Sequence, residues 1–326
     1  MPGLPVRARV GIGGRRHFCA CCAVAAAAVT GTVTLSPREA FAQARGIVDT
    51  IRDAAARAPI EVHRLRDGIA VLEGSGGNIA VLPGRDGKLL IDAGISVSRS
   101  QLSRALAGLG PEPVTRLVNT HWHFDHTDGN GWFHQEGAII SARPETRRHL
   151  FAAQRVEDWD YTFPAAPPGA LPSGSLADGE TLRHSGATVA FRYYGPAHTD
   201  CDLSATFVEA NVLHAGDTFW NGVYPFIDYS TGGSVEGMIQ AAERNIAGAN
   251  DETIVVPGHG PIGSRRDLQA FHTMLATVRD NVAALKQGGR SAAECVAARP
   301  TAAFDAIWGN FVVSPAFFTR IIYAGV

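Results

Sequence analysis

Asn119-Thr120-His121-Trp122-His123-Phe124-Asp125-His126-Thr127-Asp128-Gly129-Asn130 places four metal-capable side chains, His121, His123, Asp125 and His126, within six consecutive positions. In an extended run alternate residues share a face. The spacing therefore predicts that His121, His123 and Asp125 look into one cavity while Trp122 and Phe124 pack behind it. His126 then needs only a turn, and Thr127-Asp128-Gly129-Asn130 has the chemistry of one. A cluster of this density reads as a metal site, and its remaining ligands must come from elsewhere in the chain.

Upstream, short β-like runs follow one another at residues 61–66, 69–73, 78–83 and 88–92, separated by Gly-containing turns. Residues 97–109 predict a helix with Leu102, Leu106 and Leu109 on one face, stopped by Gly110-Pro111. Residues 114–120 predict a buried strand that delivers the cluster. Gly74 to Gly77 reads as a mobile hairpin tip, because no P-loop Lys-Ser/Thr follows it.

Downstream the same style returns, with strands expected at 187–194, 203–208, 211–214 and 253–256 and a helix at 234–247. Residues 265–286 predict a long amphipathic helix whose core face carries Leu268, Phe271, Leu275, Val278 and Val282. Two similar halves of strands and helices predict an α+β fold, two mixed sheets stacked face to face with helices outside. The last forty or so residues hold Trp308, Phe311, Phe317 and Phe318, too aromatic for a free tail, and are expected to pack on the body.

Three further ligand candidates are expected just past strand ends. His198 follows Gly195-Pro196-Ala197, Asp217 sits in Ala215-Gly216-Asp217-Thr218, and His259 lies in Pro257-Gly258-His259-Gly260. Small neighbours let the backbone turn sharply and approach an ion. With the cluster they make five His and two Asp, enough for two ions once water is counted. His63, His134, His149, His184, His214 and His272 carry no ligand spacing and read as surface or satisfied core residues. Cys201 reads as a small buried residue rather than a thiolate ligand.

Asp92, the 121–126 cluster, His198, Asp217 and His259 in this order resemble the motifs of the metallo-β-lactamase fold superfamily, over residues 59–286. The resemblance implies the four-layer αββα sandwich and a metal-dependent hydrolase. It implies that His121, His123 and His198 hold one zinc, that Asp125, His126 and His259 hold the other, that Asp217 bridges them, and that Asp92 steadies the cluster loop. Two zinc ions per chain are expected, with iron or manganese as alternatives for such donors. Water activated there would attack an ester, thioester, lactone or amide carbonyl, with Asp125 orienting it and moving its proton.

The Gly216-Asp217-Thr218 run resembles thioesterases and lactonases more than the dedicated zinc β-lactamases, which usually lack this Asp; β-lactam hydrolysis is the alternative, and an iron-dependent oxidoreductase the alternative of another class. A glyoxalase II assignment is weakened because no obvious basic cluster follows His259. Two aromatic-rich loops are expected to roof the site, with Trp159, Tyr161, Trp220, Asn221 and Tyr224 as substrate-binding candidates for a partly apolar small molecule.

Arg15-Arg16-His17-Phe18, a weakly apolar run at 19–33 and Ala40-Phe41-Ala42 read as a twin-arginine export signal over residues 1–42, cleaved rather than kept as an anchor, so no membrane span is expected afterwards and a periplasmic location is. Residues 43–58 then form an N-terminal segment, 59–287 the hydrolase domain and 288–326 a C-terminal segment. Cleavage would leave 29 − 5 = 24 basic and 31 − 1 = 30 acidic residues. Such an acidic balance, without a Lys/Arg run, argues against nucleic acid as a partner. Cys201 and Cys295 are the two cysteines left beyond the signal, which imply no disulfide framework.

Overall fold

The computed structural model describes residues 46–326, so the expected export signal and its cleavage site lie outside the described residues. The first half runs α1 (Ile47–Arg57), β1 (Glu61–Arg64), β2 (Ala70–Glu73), β3 (Ile79–Leu82), β4 (Lys88–Ile91), α2 (Arg99–Ala107), β5 (Val114–Val118), α3 (Phe124–Thr127), α4 (Asn130–Gln135), β6 (Ile139–Ala142) and α5 (Pro144–Phe151). A small hairpin follows, β7 (Gln154–Val156) with β8 (Tyr161–Phe163), then β9 (Gly174–Ser175). The second half runs β10 (Thr181–His184), β11 (Ala187–Arg192), β12 (Ser204–Phe207), β13 (Val212–Trp220), α6 (Val235–Gly248), β14 (Ile254–His259), β15 (Gly263–Ser264) and α7 (Arg265–Gln287). It closes with α8 (Ala292–Ala298), α9 (Asp305–Trp308) and α10 (Pro315–Gly325).

Two mixed sheets result. One has the order β1-β2-β3-β4-β5-β6-β9 and turns parallel from β4 onward; the other has the order β10-β11-β12-β13-β14-β15, with β13 and β14 parallel. Alternation along the strands assigns the layers, because successive side chains leave opposite faces. Val71, Ile91 and Val118 of the first sheet share a buried cluster with Phe191, Ala205, Val212 and Val256 of the second. Their neighbours Ala70, Leu72 and Leu90 face α2 and α4 through Leu102, Leu106 and Phe133. Leu213, Ala215 and Val255 face α6 and α7 through Met238, Ala242, Leu268, Phe271 and Leu275. These are the four layers αββα expected from the sequence.

The helical outer layer is fixed at its ends as well as on its face. Ser234 accepts from Gly237 N at the start of α6, and Ser264 with Asp267 forms a capping box on α7. Residues 288–326 are not a tail: Phe318, Ile321 and Ile322 are buried in the same cluster as α7, and Trp308 lies against Phe271 at 5.9 Å.

Three local expectations are corrected. The cluster is not extended: β5 ends at Val118, and Phe124–Thr127 is helical. The Asp92 carboxylate takes the Thr120 backbone N–H at 2.7 Å, and Asn119 holds Asn130 through paired amide bonds, so the chain is turned out of the sheet at once. The strand expected at 211–214 runs on to Trp220, and Asp217 stands inside it rather than past its end. A register shift at Gly216, whose φ is 52°, aims the next residue out of the regular pleat. Finally, Gly74 to Gly77 is no mobile tip. Gly74, Ser75 and Gly77 are buried, with Gly77 N bonded to Asp125 O at 3.2 Å and Ser75 O accepting from Ile95 N at 3.1 Å.

Phe271 is fully buried and packs edge-on against Phe219 at 5.4 Å. Truncation to Ala removes the ring that joins α7 to β13 and is expected to cost about 3–5 kcal/mol in a urea unfolding experiment; a loss below about 1 kcal/mol would contradict the packing described.

Candidate metal centre

All seven sequence candidates converge. His121, His123, His198 and Asp217 form one group and Asp125, His126 and His259 another, each with its candidate ligand atoms within 4.8 Å of one another and every member buried. The two groups meet at Asp217. Its Oδ2 lies 3.3 Å from His198 Nε2, 3.8 Å from His121 Nε2 and 3.4 Å from His259 Nε2, while its Oδ1 lies 3.1 Å from His126 Nε2. Asp125 Oδ2 stands 3.2 Å from His259 Nε2 and 3.7 Å from His126 Nε2.

The outer nitrogens assign the tautomers, because a ring nitrogen bonded to an acceptor must carry the proton. His126 Nδ1 faces Asp92 Oδ2 at 2.8 Å, His123 Nε2 faces Asp228 Oδ2 at 3.0 Å, and His198 Nδ1 faces the Phe226 carbonyl at 2.8 Å. Thr120 Oγ1 donates to Asp92 Oδ2 at 2.8 Å and so accepts from His121 Nδ1 at 3.0 Å. His121, His123 and His198 therefore turn a bare lone pair inward; at His126 burial acts downward, but the carboxylates of Asp217, Asp125 and Asp92 outweigh it and hold the ring well above its usual range. Two such lone pairs, His198 Nε2 and His123 Nδ1, stand only 2.8 Å apart. Buried His121 Nε2 and Asp217 Oδ1 have no hydrogen-bond partner at all. Acceptors facing acceptors in a buried space lack the donor or cation that would satisfy them, so these residues fit metal ions, with N and O donors of the kind zinc takes.

Electrostatics follow from burial and crowding. Burial, reinforced by His126, pushes His121 well below its usual range, so the ring is neutral as a ligand requires. Burial likewise takes His198 down to about 4. For Asp125 burial acts upward, but His126 and the hydrogen bond to His259 outweigh it and bring the carboxyl to about 2. Asp217 is held well below its usual range by the surrounding imidazoles against the same burial effect.

Glycines make the close approach possible. A Cβ on Gly77 would fall 2.1 Å from His126 Cε1, one on Gly76 2.7 Å from Asp125 Cβ, and one on Gly258 1.9 Å from Asp217 Oδ1. The loop between β2 and β3 is thus one wall of the centre, which the sequence reading missed; the signal was there in four near-consecutive small residues beside a strand. Asp228 was missed too. It binds His123, accepts from Thr231 Oγ1 and from Ser230 N, and Thr231 Oγ1 in turn accepts from Trp122 Nε1 at 3.1 Å. Nothing in its local sequence separates it from other loop aspartates.

Above the centre lies a narrow cleft of about 70 Å³. Trp159 and Trp220 line it, as does Phe226. Tyr161, Asn221 and Tyr224 do not, which corrects three of the substrate-binding candidates. Tyr161 lies tilted against Phe163 at 4.6 Å and accepts from Arg52; Asn221 donates to the Pro261 carbonyl; Tyr224 is fully buried, stacked on Phe318 at 4.5 Å, with its hydroxyl at Asp305 Oδ1 and the Thr301 carbonyl. In each case a stronger local partner claims the side chain. Of the histidines set aside, His214 is held by the Asn78 carbonyl and Gly216 N, His149 by Asp200, and His184 by the Gly87 carbonyl. Cys201 and Cys295 are both buried and unpaired with each other, and burial pushes the Cys201 thiol up, which opposes a thiolate.

Fold and site together describe an αββα sandwich with two adjoining groups of buried His and Asp donors. The family profile of the Metallo-beta-lactamase superfamily matches residues 72–259, and the chain belongs to that superfamily. A curated relative, the hydroxyacylglutathione hydrolase of Polaromonas sp., is 28% identical over 173 residues, which cover 52% of this chain and 56% of that protein. The chain thus spans about half the length of that relative. Among solved structures, a metallo-beta-lactamase from Pontibacter korlensis matches with a TM-score of 0.53 and 18% identity, over 67% of this chain and 99% of that one. A double mutant of the sec-alkyl sulfatase PisA1 matches with a TM-score of 0.61 and 14% identity, over 87% of this chain and 51% of that one. At these identities the structural matches speak for the fold alone.

Two substitutions test the architecture behind the donors. Asp228→Asn keeps the shape but removes the charge that holds His123, and is expected to weaken zinc binding about 10–100-fold in a competition titration with a chromophoric chelator; unchanged affinity would remove Asp228 from this role. Gly77→Ala drives a methyl into the His126 ring, and is expected to lower both the thermal midpoint and the metal content of purified protein, whereas Gly186→Ala, with open space around it, leaves the metal content alone.

Proposed function

We propose that the chain is a dinuclear zinc hydrolase that cleaves an ester, thioester, lactone or amide carbonyl. The observation that carries this is Asp217: one buried carboxylate within reach of four histidines from both donor groups. His121, His123 and His198 with Asp217 would hold one ion, and Asp125, His126 and His259 with Asp217 the other. Ions held there would supply Lewis acidity, lowering the pKa of a water toward neutrality and polarising the carbonyl.

The chain's own residues do the remaining work. Asp92, Asp228, Thr120 and the Phe226 carbonyl fix the rings of His126, His123, His121 and His198, so the donors need little reorganisation. Asp125 reaches the cleft and stays ionised, so it can orient the attacking water, accept its proton and return it to the leaving atom. Trp159, Trp220 and Phe226 keep the approach largely apolar and limit bulk water beside the reacting carbonyl. The curated relative's name supports a thioester among the substrates.

A panel of aryl esters, thioesters, lactones, a chromogenic cephalosporin and phosphodiesters, run before and after chelation, separates the bond classes. Hydrolysis of carbonyl substrates is expected to vanish with chelator and to return with two equivalents of zinc. Asp125→Asn is expected to lower kcat about 100-fold or more while retaining metal. Carbonyl hydrolysis indifferent to chelator, or full turnover by Asp125→Asn at full metal content, would overturn the reading; one bound iron with oxygen-dependent turnover would replace it with redox chemistry.

A further inference from the structure

The cleft is not built by the hydrolase core alone. One wall is the helix α1, which precedes β1, and another is the loop 311–313 between α9 and α10. Ile47, Thr50, Ile51 and Ala54 recur at the three- and four-residue spacing of one helix face, and all four line the cleft. The opposite needs of α1 are met elsewhere. Val48 and Ala55 are buried, and its last carbonyls are taken by Ser98 Oγ at Ala55 and Gln101 Nε2 at Ala56. On the far side Phe311 sits 6.0 Å from both the Trp220 and His259 rings, and Val312 and Val313 continue that surface. Tyr224 anchors this segment, with its N–H on the Trp308 carbonyl and its hydroxyl at Asp305 and Thr301.

Charge gives the wall its second property. Among the described residues no Lys or Arg lines the cleft, and the one acidic side chain there outside the metal centre is Glu73. Arg52, the cation of α1 nearest in sequence to the lining face, is turned away: it lies over the Phe124 ring at 5.2 Å and donates to the Tyr161 hydroxyl. Arg265, the first basic residue after His259, is spent on the Ile246 carbonyl and Asp251. A conjugate carrying carboxylates would find no cation to meet it among the described lining residues, and the one carboxylate there, Glu73, is already paired with His63 at 3.1 Å. An apolar chain would find Ile47, Ile51, Phe311 and Val312.

We propose that α1 and the 311–313 loop form an acyl pocket that selects uncharged substrates with an apolar chain next to the scissile carbonyl, and selects against anionic conjugates such as glutathione thioesters. This rests on the hydrolase reading above and adds the class of substrate to it. The occupant is set by shape as well as charge, since the narrow cleft admits a slender chain more readily than a bulky peptide conjugate.

The zinc-loaded protein is assayed on aryl esters from acetate to hexanoate and on a hydroxyacylglutathione. kcat/KM is expected to rise about fourfold per added methylene, with the glutathione thioester well below the hexanoate. Ile51→Glu and Phe311→Ala are expected to flatten this chain-length gain at full metal content, and Ile51→Leu to restore it. Thr50→Arg, at an exposed position on the lip, is expected to raise kcat/KM for the glutathione thioester relative to the hexanoate. If the native protein shows no gain with chain length, or Ile51→Glu keeps it, the pocket assignment fails although the hydrolase reading stands. If neither the ester series nor any thioester, lactone or amide is cleaved in a chelator-sensitive way, the hydrolase reading fails; binding of methyl ketones of increasing chain length, followed by tryptophan fluorescence, then decides the pocket, which stands if affinity rises with length and falls if it does not.

Discussion

Burial of the Asp217 carboxylate among His121, His126, His198 and His259 is the constraint to which the rest of the structure answers. Ionisable and polar groups taken out of water are costly unless each is matched. Here the matching comes in rings. The inner lone pairs of the histidines converge on the space around Asp217, and their outer nitrogens are each bonded to a fixed partner: Asp92, Asp228, Thr120 and the Phe226 carbonyl. Those partners sit on three separate stretches of chain, so the centre can form only when both sheets are in register. Gly76, Gly77 and Gly258 then close the space by leaving out side chains that would collide with Asp125, His126 and Asp217.

The flanking segments turn this shared centre into a particular site. The superfamily match ends at His259, yet the cleft above the donors is lined by α1 before it and by Phe311, Val312 and Val313 after it. The core supplies chemistry that many substrates could use. The walls add an apolar surface on which, among the described residues, no Lys or Arg stands, and the proposed discrimination rests on it. This is the usual division between a scaffold and the loops set on it.

Legibility in the sequence followed the range of the interaction involved. The apolar run Ala70–Glu73, the alternating Ala187–Arg192 and the heptad-like face of Arg265–Gln287 could be read directly, because run and period are local properties. The extended reading of the 121–126 cluster failed because Asp92, 28 residues before Thr120, takes the backbone that would have continued the strand. Gly74 to Gly77 looked mobile because glycine freedom is local, whereas the Asp125 and His126 contacts that pin the loop are not. Tyr224 looked like a substrate contact until Phe318 and Asp305, far along the chain, claimed both its ring and its hydroxyl.

By itself the sequence determined the chemistry: His and Asp at metal-ligand spacing, with small residues beside them, restrict the donors whatever the surrounding fold. It also determined the layers, since hydrophobic period follows from the geometry of helix and strand. Only the tertiary structure decided which nitrogen of each histidine faces inward, which carboxylate lies between the two donor groups, and which aromatic side chains reach the cleft. Those depend on partners distant in sequence, and a side chain's direction is settled by whichever of its possible partners the completed fold brings closest.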